Sequence, residues 1–253
     1  MAEPQRTVQR AGKRAQRFIQ TLRNVGVAID AGSKVLDLGC GAGRLVKGAR
    51  LLGLDFYGCG MDMRDHVDPA DPELMAAGVL REIPNPYRIP FDDCTFDAVI
   101  SDQVFEHVMD YPTTIREVHR VLKPGGVFLH LFPPRSTPIE PHVFVPLATM
   151  VRARWWLKAW ALLGIRNQFQ RKLTPAQAAD ANFKYLTSRT NYLPKRELYR
   201  QFGRHFDDVR FVEQAFLKAT NGRARKLSEV PFMPKLYGAL RNRVAFGRRP
   251  LTH

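Results

Sequence analysis

An acidic residue followed by three alternating glycines is the clearest chemical signal in this sequence. In VLDLGCGAGRL, residues 35–45, Asp37 lies in an apolar run and glycines occupy positions 39, 41 and 43. Glycine permits positive φ and close approach of the backbone to a ligand, and a helix that follows such a turn offers free N–H groups. The spacing lacks the Gly-Lys-Ser/Thr of a P-loop and the G-x-G-x-x-G of a dinucleotide fold. The turn is therefore a weak match for a pyrophosphate.

Four side chains further along the chain are candidates for proton transfer. Glu106 and His107 follow the apolar run FDAVISDQ, and Glu140 and His142 lie in the proline-rich stretch beyond the next apolar run. An imidazole suits a general base for a hydroxyl acceptor, because its ordinary pKa is near neutrality. For each histidine, a structural hydrogen bond is the alternative interpretation.

Apolar runs and helical spacing predict the elements that position these residues. Buried strands are expected at 34–38, 55–62, 96–103 and 127–132, and helices at 44–52 and 107–122, with loops and a short helix near Pro72–Ala77 over residues 63–90. Apolar strands that alternate with helices predict a parallel sheet covered on both faces. Such sheets bind ligands at the carboxyl ends of their strands, where the glycine turn lies.

The sequence changes character after Pro133, where it becomes proline-rich and then aromatic, apolar and basic together. Further on we expect a loop and helix over 190–206, a strand over 208–217, and a short helix with a final strand over 236–250. The predicted organisation is an N-terminal helical segment (1–32), a ligand-binding core (33–134), a variable insertion (135–190) and a C-terminal part that completes the sheet (191–253).

Charge and cysteine content limit the classes of function. The chain of 253 residues has a formal net charge of +15. Lys and Arg exceed Asp and Glu by 16 over residues 135–253, whereas the acids are in excess by 6 over 35–134. A basic half attracts phosphates, anionic lipid or nucleic acid, and a solubilising arginine-rich surface explains the charge equally well. Three widely spaced cysteines form neither a disulfide framework nor a metal-binding pair, which favours a reducing compartment.

Several motifs follow the glycine turn in a recognisable order. Asp62 ends the second predicted strand, and NPYRIPFDDCTFDAVIS (85–101), SDQVFEHV (101–108) and REVHRVLKPGGVF (116–128) come after it. With the D-x-G-x-G-x-G of residues 37–43, these segments resemble the class I S-adenosylmethionine-dependent methyltransferases of the methyltransferase type 11 group. The resemblance covers residues 33–133. It implies a Rossmann-like α/β fold, with a seven-stranded, mostly parallel sheet, helices on both faces and a helical lid insertion.

The resemblance also implies S-adenosylmethionine as the methyl donor and assigns residues to it. The glycines accommodate the methionyl portion, and Asp62 accepts hydrogen bonds from the ribose hydroxyls. Where the family has an Asp that binds the adenine amino group, this chain has Asn85, whose amide oxygen accepts the same hydrogen bond without the charge. The predicted cofactor-binding set is Asp37, Gly39, Cys40, Gly41, Gly43, Asp62, Met63, Asn85, Pro86, Tyr87, Asp102 and Gln103. No metal site is predicted.

The methyl acceptor is defined less closely than the donor. The tetrapeptide at 101–104 is Ser-Asp-Gln-Val rather than an N-P-P-Y type motif, which argues against methylation of adenine N6, cytosine N4 or glutamine. We expect a small-molecule or lipid-linked acceptor, methylated at oxygen, with His107, His142 and Glu140 as the catalytic set. An RNA methyltransferase, suggested by the basic second half, and a non-catalytic cofactor-binding protein are the alternatives.

The segment 144–166 bears most directly on the acceptor. Its three tryptophans lie among Arg and Lys, and these charges make it a poor transmembrane helix. A lid whose aromatic side chains pack over the active site is the favoured interpretation, and an amphipathic helix on an anionic membrane is the other. The predicted location is the cytoplasm, with peripheral membrane contact if the second interpretation holds.

Overall fold

A seven-stranded sheet forms the centre of the part of the chain that the structure describes. The computed structural model describes residues 3–61, 63, 69–84 and 87–251. The strands are β1 Lys34–Leu38, β2 Asp55–Gly60, β3 Leu80–Glu82, β4 Phe96–Asp102, β5 Leu122–Phe132, β6 Asp207–Phe211 and β7 Arg243–Arg248. Their order is β3-β2-β1-β4-β5-β7-β6, and β7 is antiparallel to both of its neighbours, whereas the other pairs are parallel. The predicted mostly parallel sheet is confirmed.

Helices cover both faces of this sheet, as predicted. They are α1 Glu3–Asn24, α2 Arg44–Arg50, α3 Pro72–Ala76, α4 Tyr111–Val121, α5 Arg154–Leu162, α6 Pro175–Ser188, α7 Lys195–Phe202, α8 Glu213–Lys218, α9 Arg223–Lys226 and α10 Met233–Leu240. The successive β1 residues Val35 and Leu36 are fully buried in different core clusters. One cluster contains Phe18 from α1, and the other contains Phe202 from α7. The alternation along the strand thus gives each face of the sheet its own apolar core.

The N-terminal helix packs closely on α2. Its apolar positions are buried at helical spacing, and Phe18 and Leu22 are almost wholly inaccessible to solvent. The two helices cross where Gly12 and Gly48 meet, and an added Cβ at Gly48 would lie 2.6 Å from the Gly12 nitrogen. The helix predicted for the first segment is therefore part of the described fold, and it brings Arg14 towards the end of the sheet.

The order of the strands reverses between β1 and β4, which are parallel neighbours. β1 pairs with β2 on one side and with β4 on the other, so connections leave this point in opposite directions. Reversal of strand order opens a crevice beyond the carboxyl ends of the two strands, here after Leu38 and Asp102. The glycine turn and the segment 103–108 both begin at this crevice.

The strand predicted over 208–217 is wrong beyond its first half. β6 ends at Phe211, and α8 occupies residues 213–218. In β6, Val209 and Phe211 alternate with polar residues, whereas Val212, Phe216 and Leu217 recur at helical spacing and are buried. A change of period within one continuous apolar stretch produced the error.

Two further elements near the crevice differ from expectation. The helix predicted over 107–122 begins only at Tyr111, because the Asp110 side chain caps it by accepting a hydrogen bond from the Thr113 N–H at 3.1 Å. A separate 3-10 turn covers Phe105–His107. The three-residue strand β3 lies within the stretch expected to form loops, and it is too short to show a strand pattern.

The insertion between β5 and β6 has a small apolar core of its own. Val145, Leu157 and Leu186 are fully buried there, and Trp156 and Trp160 pack against them. Trp156 also donates a hydrogen bond from Nε1 to the carbonyl of Pro146 at 2.8 Å. Among the described residues, no helix combines the length and the apolar character needed to cross a membrane.

Candidate active site

The glycine turn joins β1 to α2 in a conformation that favours glycine. Gly39, Gly41 and Gly43 all have positive φ, at 77°, 53° and 74°. A side chain at position 39 would collide with Val104, and one at position 43 would collide with Leu80. These two glycines thus allow the turn to lie against the ends of β4 and β3, while an added Cβ at Gly41 would meet nothing within 4 Å. The side of the turn near Gly41 is therefore accessible to a ligand.

Cys40 fastens this turn to β2. The backbone N–H groups of Gly39 and Cys40 donate to the Cys59 carbonyl at 2.7 and 3.1 Å. The Cys40 side chain packs against Gly58, and burial raises the pKa of its thiol far above the usual range. Cys40 belongs to the predicted cofactor-binding set, and its side chain acts here as a packing group rather than a nucleophile.

Two carboxylates lie at the carboxyl ends of β1 and β4. Asp37 is 4% exposed, and burial, together with the nearby charge of Asp102, raises its pKa to about 8 against the opposing effect of Arg14. Arg14 of α1 forms an ion pair with Asp102 Oδ2, while Asp102 Oδ1 is buried with no hydrogen-bond partner among the described residues. A cation bound beside the two carboxylates would favour release of the Asp37 proton, because an opposite charge stabilises the ionised carboxyl group.

An apolar cavity of about 200 Å³ lies in the crevice beside the glycine turn. Its lining includes Gly39 and the apolar side chains of Val104, Val108, Ile83 and Ile89. A flat ring with a polar edge suits such a cavity, because its apolar faces can be buried while its polar groups keep their hydrogen bonds. Tyr87 from the predicted set lies in this lining with a φ of 35°.

The other predicted cofactor residues have mixed placements. Asp62, Asn85 and Pro86 lie outside the described residues. Met63 is 1% exposed and packs in the apolar core, so its side chain does not line the cavity, whereas Met61 does.

Gln103 has a φ of 59° and is not among the residues that line the cavity. Its amide Nε2 donates to Asn242 Oδ1 at 3.0 Å, and its backbone N–H donates to the carbonyl of Leu131 at 2.7 Å. The contact to Asn242, which follows α10, ties the end of β4 to the C-terminal part of the chain.

The turn after β4 presents a buried carboxylate and an imidazole. Glu106 is 1% exposed, and neither carboxylate oxygen has a hydrogen-bond partner in the described part of the chain. Burial raises the pKa of Glu106 to about 7. His107 donates from Nδ1 to the carbonyl of Arg189 at 2.8 Å, and burial lowers its pKa. The Asn191 N–H also donates to the Glu106 carbonyl at 2.7 Å, so the insertion is fixed directly to this turn.

The loop after β5 supplies the second histidine. The Glu140 side chain is fully buried and accepts hydrogen bonds from His142 Nδ1 at 2.8 Å, from the Tyr192 hydroxyl at 2.7 Å and from the N–H groups of His142 and Val143 at 2.7 Å. Although burial opposes its charge, the bonds from His142 and Tyr192 lower the pKa of Glu140. The pKa of His142 is raised in turn, because the hydrogen bond and charge of Glu140 outweigh the effect of burial.

These two segments meet at the crevice. One ligand atom from each of Glu106, His107 and His142 lies within 4.8 Å of the other two, and the imidazole rings are 4.7 Å apart at 70°. Of the predicted catalytic set, His107 and His142 are thus brought together, and Glu140 orients His142 with its oxygens already occupied. Sequence reasoning missed Arg14 and Tyr192, since neither belongs to a recognisable motif.

The tryptophans of the insertion do not line the cavity. Trp156 and Trp160 pack within the insertion, and Trp155 is 68% exposed. The insertion approaches the crevice through His142 and Tyr185 instead, whose rings lie 5.5 Å apart. Its function as a lid thus stays a prediction, and its aromatic residues are placed differently from the favoured interpretation.

The sequence of this chain is similar to those of known methyltransferases. Residues 36–130 match the family model described as a methyltransferase domain. A probable S-adenosylmethionine-dependent methyltransferase of Mycolicibacterium smegmatis is 36% identical over 124 residues, 44% of this chain and 45% of that protein. The ubiquinone/menaquinone biosynthesis C-methyltransferase UbiE of Desulfotalea psychrophila is 33% identical over 141 residues, 52% of this chain and 53% of that protein. The chain thus spans about half the length of these curated relatives.

A solved structure shows the same fold. The phosphoethanolamine N-methyltransferase 2 of Haemonchus contortus, in complex with phosphomonomethylethanolamine and S-adenosylhomocysteine, aligns with a TM-score of 0.51 at 14% identity, over 93% of this chain and 52% of that one. The sequence of residues 36–130 thus matches a methyltransferase domain, and the fold of the chain matches that of a solved methyltransferase structure. Residues 36–130 are therefore similar to the methyltransferase domain of S-adenosylmethionine-dependent methyltransferases.

Proposed function

We propose that this protein transfers the methyl group of S-adenosylmethionine to a hydroxyl oxygen of a small or lipid-linked acceptor, of which a hydroxylated quinone-type ring is the best candidate. One observation carries the proposal. His107 belongs both to the lining of the apolar cavity and to the cluster with Glu106 and His142. The place suited to the donor and the groups able to take up a proton therefore meet at one residue.

The residues in the crevice fit the methyl donor. S-adenosylmethionine supplies an electrophilic methyl group on a sulfonium, together with an α-ammonium group, a ribose and an adenine. Asp37 and Asp102 favour a cation at the ends of β1 and β4, and the accessible backbone at Gly41 permits close approach. The apolar surfaces of Ile83 and Val104 suit the adenine faces. Holding a donor in this way mainly supplies proximity and orientation.

The cluster favours oxygen as the acceptor atom. A hydroxyl must lose its proton as the new bond forms, whereas transfer to a neutral amine needs less help from a base. His107 and His142 each bond through Nδ1 to an oxygen acceptor, which leaves Nε2 for the acceptor or its proton. The ubiquinone/menaquinone biosynthesis C-methyltransferase among the relatives supports a quinone-type ring, and oxygen rather than carbon is proposed here because of the histidine cluster.

A lipid-linked acceptor also agrees with the surface of the insertion. Trp155, Leu163 and Phe169 are 68%, 73% and 82% exposed, and Arg154 and Lys158 lie on the same helix as Trp155. Exposed aromatic and aliphatic side chains among basic residues fit the interface of an anionic membrane. We therefore propose peripheral contact with such a membrane.

Flotation of the protein with anionic vesicles tests the membrane contact. Binding at low salt is expected to fall when Trp155 and Leu163 are both replaced by Ser. Leu51 directly follows α2, outside the insertion, and is 70% exposed, so Leu51→Ser provides a matched control. Equal flotation of all three proteins, or none at low salt, would remove the membrane proposal.

Transfer of an isotopically labelled methyl group tests the main proposal. The full chain is incubated with labelled donor and separate pools of prenylated hydroquinones, water-soluble catechols and RNA. We expect label in a hydroxylated ring, and a rate at least ~100-fold lower in His142→Ala with unchanged donor affinity. The control variant is His205→Ala, because His205 lies near His119 and outside the cluster of Glu106, His107 and His142. Its rate of methyl transfer should match that of the wild type. Label in RNA alone would favour the RNA alternative, and donor binding without any transfer would favour a non-catalytic protein.

A further inference from the structure

We infer that Glu106, His107 and His142 form a binding site for one divalent first-row transition-metal ion. Their ligand atoms lie within 4.8 Å of one another, and they come from two loops that converge at the crevice. Two imidazoles and one carboxylate form a common metal-ligand set. The binding site stands on this geometry, and its role in catalysis rests on the proposed methyl transfer.

The hydrogen bonds of both histidines leave the correct nitrogen for a metal. His107 Nδ1 lies 2.8 Å from the carbonyl of Arg189, and His142 Nδ1 lies 2.8 Å from Glu140 Oε1. Since a carbonyl and a carboxylate only accept hydrogen bonds, each Nδ1 carries a proton. Nε2 is then the remaining ligand atom on each ring, and metal binding displaces any proton there. Metal-ligating histidines in proteins almost always show this arrangement.

The buried carboxylate of Glu106 indicates a bound cation independently of the distances between the three ligand atoms. The residue is 1% exposed, and both of its oxygens lack a hydrogen bond in the described part of the chain. Buried carboxylates are normally paired, hydrogen-bonded or bound to a metal, because an isolated buried charge is costly. A cation between Glu106 and the two Nε2 atoms would satisfy this group.

The residues behind the cluster hold His142 in place. Glu140 accepts from His142 Nδ1 and from the Tyr192 hydroxyl, and its oxygens also take two backbone N–H groups. On the other side, the Arg189 carbonyl holds His107. This gives the carboxylate–histidine–metal arrangement in which the outer group sets the orientation and basicity of the ligand. Glu140 is thus a positioning residue of the site.

A bound ion would draw the three side chains slightly closer. Ligand atoms about 2.1 Å from a shared ion lie roughly 3–3.5 Å from each other, so modest side-chain rotations suffice. Three protein ligands leave coordination positions open, and His107 places the ion at the edge of the cavity. A bound ion would lower the pKa of a hydroxyl held at an open position, and the proton of that hydroxyl would pass to water. Without the ion, the Nε2 atoms of the two histidines remain the groups that accept the proton, as in the proposed function.

The donor set selects the kind of ion. Imidazole suits zinc, iron, nickel and related ions, whereas magnesium and calcium prefer sites made of oxygen ligands alone. Zn²⁺ is therefore the appropriate ligand for measuring affinity, and Co²⁺ reports coordination by visible absorption. Mg²⁺ serves as the comparison ion and is expected to bind more weakly.

Metal binding is measured on the tag-free full chain after treatment with a chelator. Equilibrium dialysis against Zn²⁺ should give one ion per chain, and Co²⁺ should produce a visible spectrum. We expect Glu106→Gln and His142→Ala each to weaken binding at least ~100-fold, and Glu140→Gln to weaken it about 10- to 100-fold. The matched control is His205→Ala, because His205 lies near His119 in a histidine pair away from the crevice, and it should bind normally.

Metal binding and methyl-donor binding are read out separately. Absence of saturable Zn²⁺ binding by the wild type, or equal affinity in Glu106→Gln, Glu140→Gln and the control, would overturn the metal site. Should Glu106→Gln fail to fold, as judged by circular dichroism, Glu140→Gln still decides the question. Donor binding without metal binding would refute the metal site alone, and metal binding without donor binding would refute the proposed function alone.

Discussion

Replacement of Asp37 by Asn should stabilise the unliganded protein while it impairs binding of the methyl donor. Asp37 is almost completely buried at the end of β1, and its charge is disfavoured by burial and by Asp102. The Asn side chain has a similar shape and never ionises, so folding of the variant no longer requires this group to take up a proton. The bound donor, by contrast, loses a carboxylate that favours its cationic groups.

The pH dependence of this effect follows from the raised pKa. The folded state holds the Asp37 proton up to about pH 8, whereas the unfolded state releases it near 3.8. The folded state therefore binds more protons between these values, and the free energy of unfolding of the wild type falls as pH rises through this window. About 1.4 kcal/mol per pH unit gives an upper limit of about 6 kcal/mol above pH 8. Relaxation of the protein around the charge reduces this loss of stability, and we expect the variant to exceed the wild type by ~2–4 kcal/mol in free energy of unfolding above pH 8.

The assay compares urea unfolding of wild type and Asp37→Asn from pH 4 to pH 8.5. Their free energies of unfolding should agree near pH 4 and diverge as pH rises, with the variant the more stable. At pH 8 the variant should also melt at least ~5 °C higher. A difference that is independent of pH, or a variant that is less stable at pH 8, would refute the raised pKa of Asp37. Donor affinity at pH 8 should fall at least ~10-fold.

Three further changes test the packing around the site. Gly43→Ala should cost more stability than Gly53→Ala, because both positions have positive φ but only a side chain at position 43 would collide with a neighbour. Urea unfolding measures both losses, and equal losses would contradict the steric argument. Gly48→Ala should cost about 2 kcal/mol by forcing α1 from α2, whereas Gly12→Ala, with its nearest atom at 3.5 Å, should be nearly neutral; similar effects would argue against the close helix crossing. Tyr192→Phe should cost about 1–3 kcal/mol by removing a donor from a buried carboxylate, and unchanged stability would show that this bond is dispensable.

The part of the site predictable from sequence is the part that lies within one continuous segment. Asp37 and the three glycines follow a strand and precede a helix, so their roles depend on local order and on conformations that glycine favours. The sheet was predictable for the same reason, since β1, β2, β4 and β5 are apolar runs bounded by turns. Met63 shows the limit of such local prediction. It enters the predicted set because it follows Asp62, and sequence order does not indicate that the Met63 side chain is buried in the core.

The remainder depends on contacts between distant segments. His142 reaches Glu106 only because the loop after β5 folds back on the turn after β4, and hydrogen bonds of Arg189 and Asn191 hold that turn. Likewise, Arg14 reaches Asp102 because α1 crosses α2 at two glycines. Neither arrangement has a spacing signature, so the sequence predicted the histidines as separate candidates and gave no sign of a shared cluster.

Calorimetric titration of the full chain with S-adenosylmethionine tests the central claim most directly. The account predicts saturable binding at one site per chain, loss of that binding in Asp62→Ala, and retained or tighter binding in Asn85→Asp. Absence of binding by the wild type, or unchanged affinity in Asp62→Ala, would contradict the claim that the crevice beyond β1 and β4 binds the methyl donor.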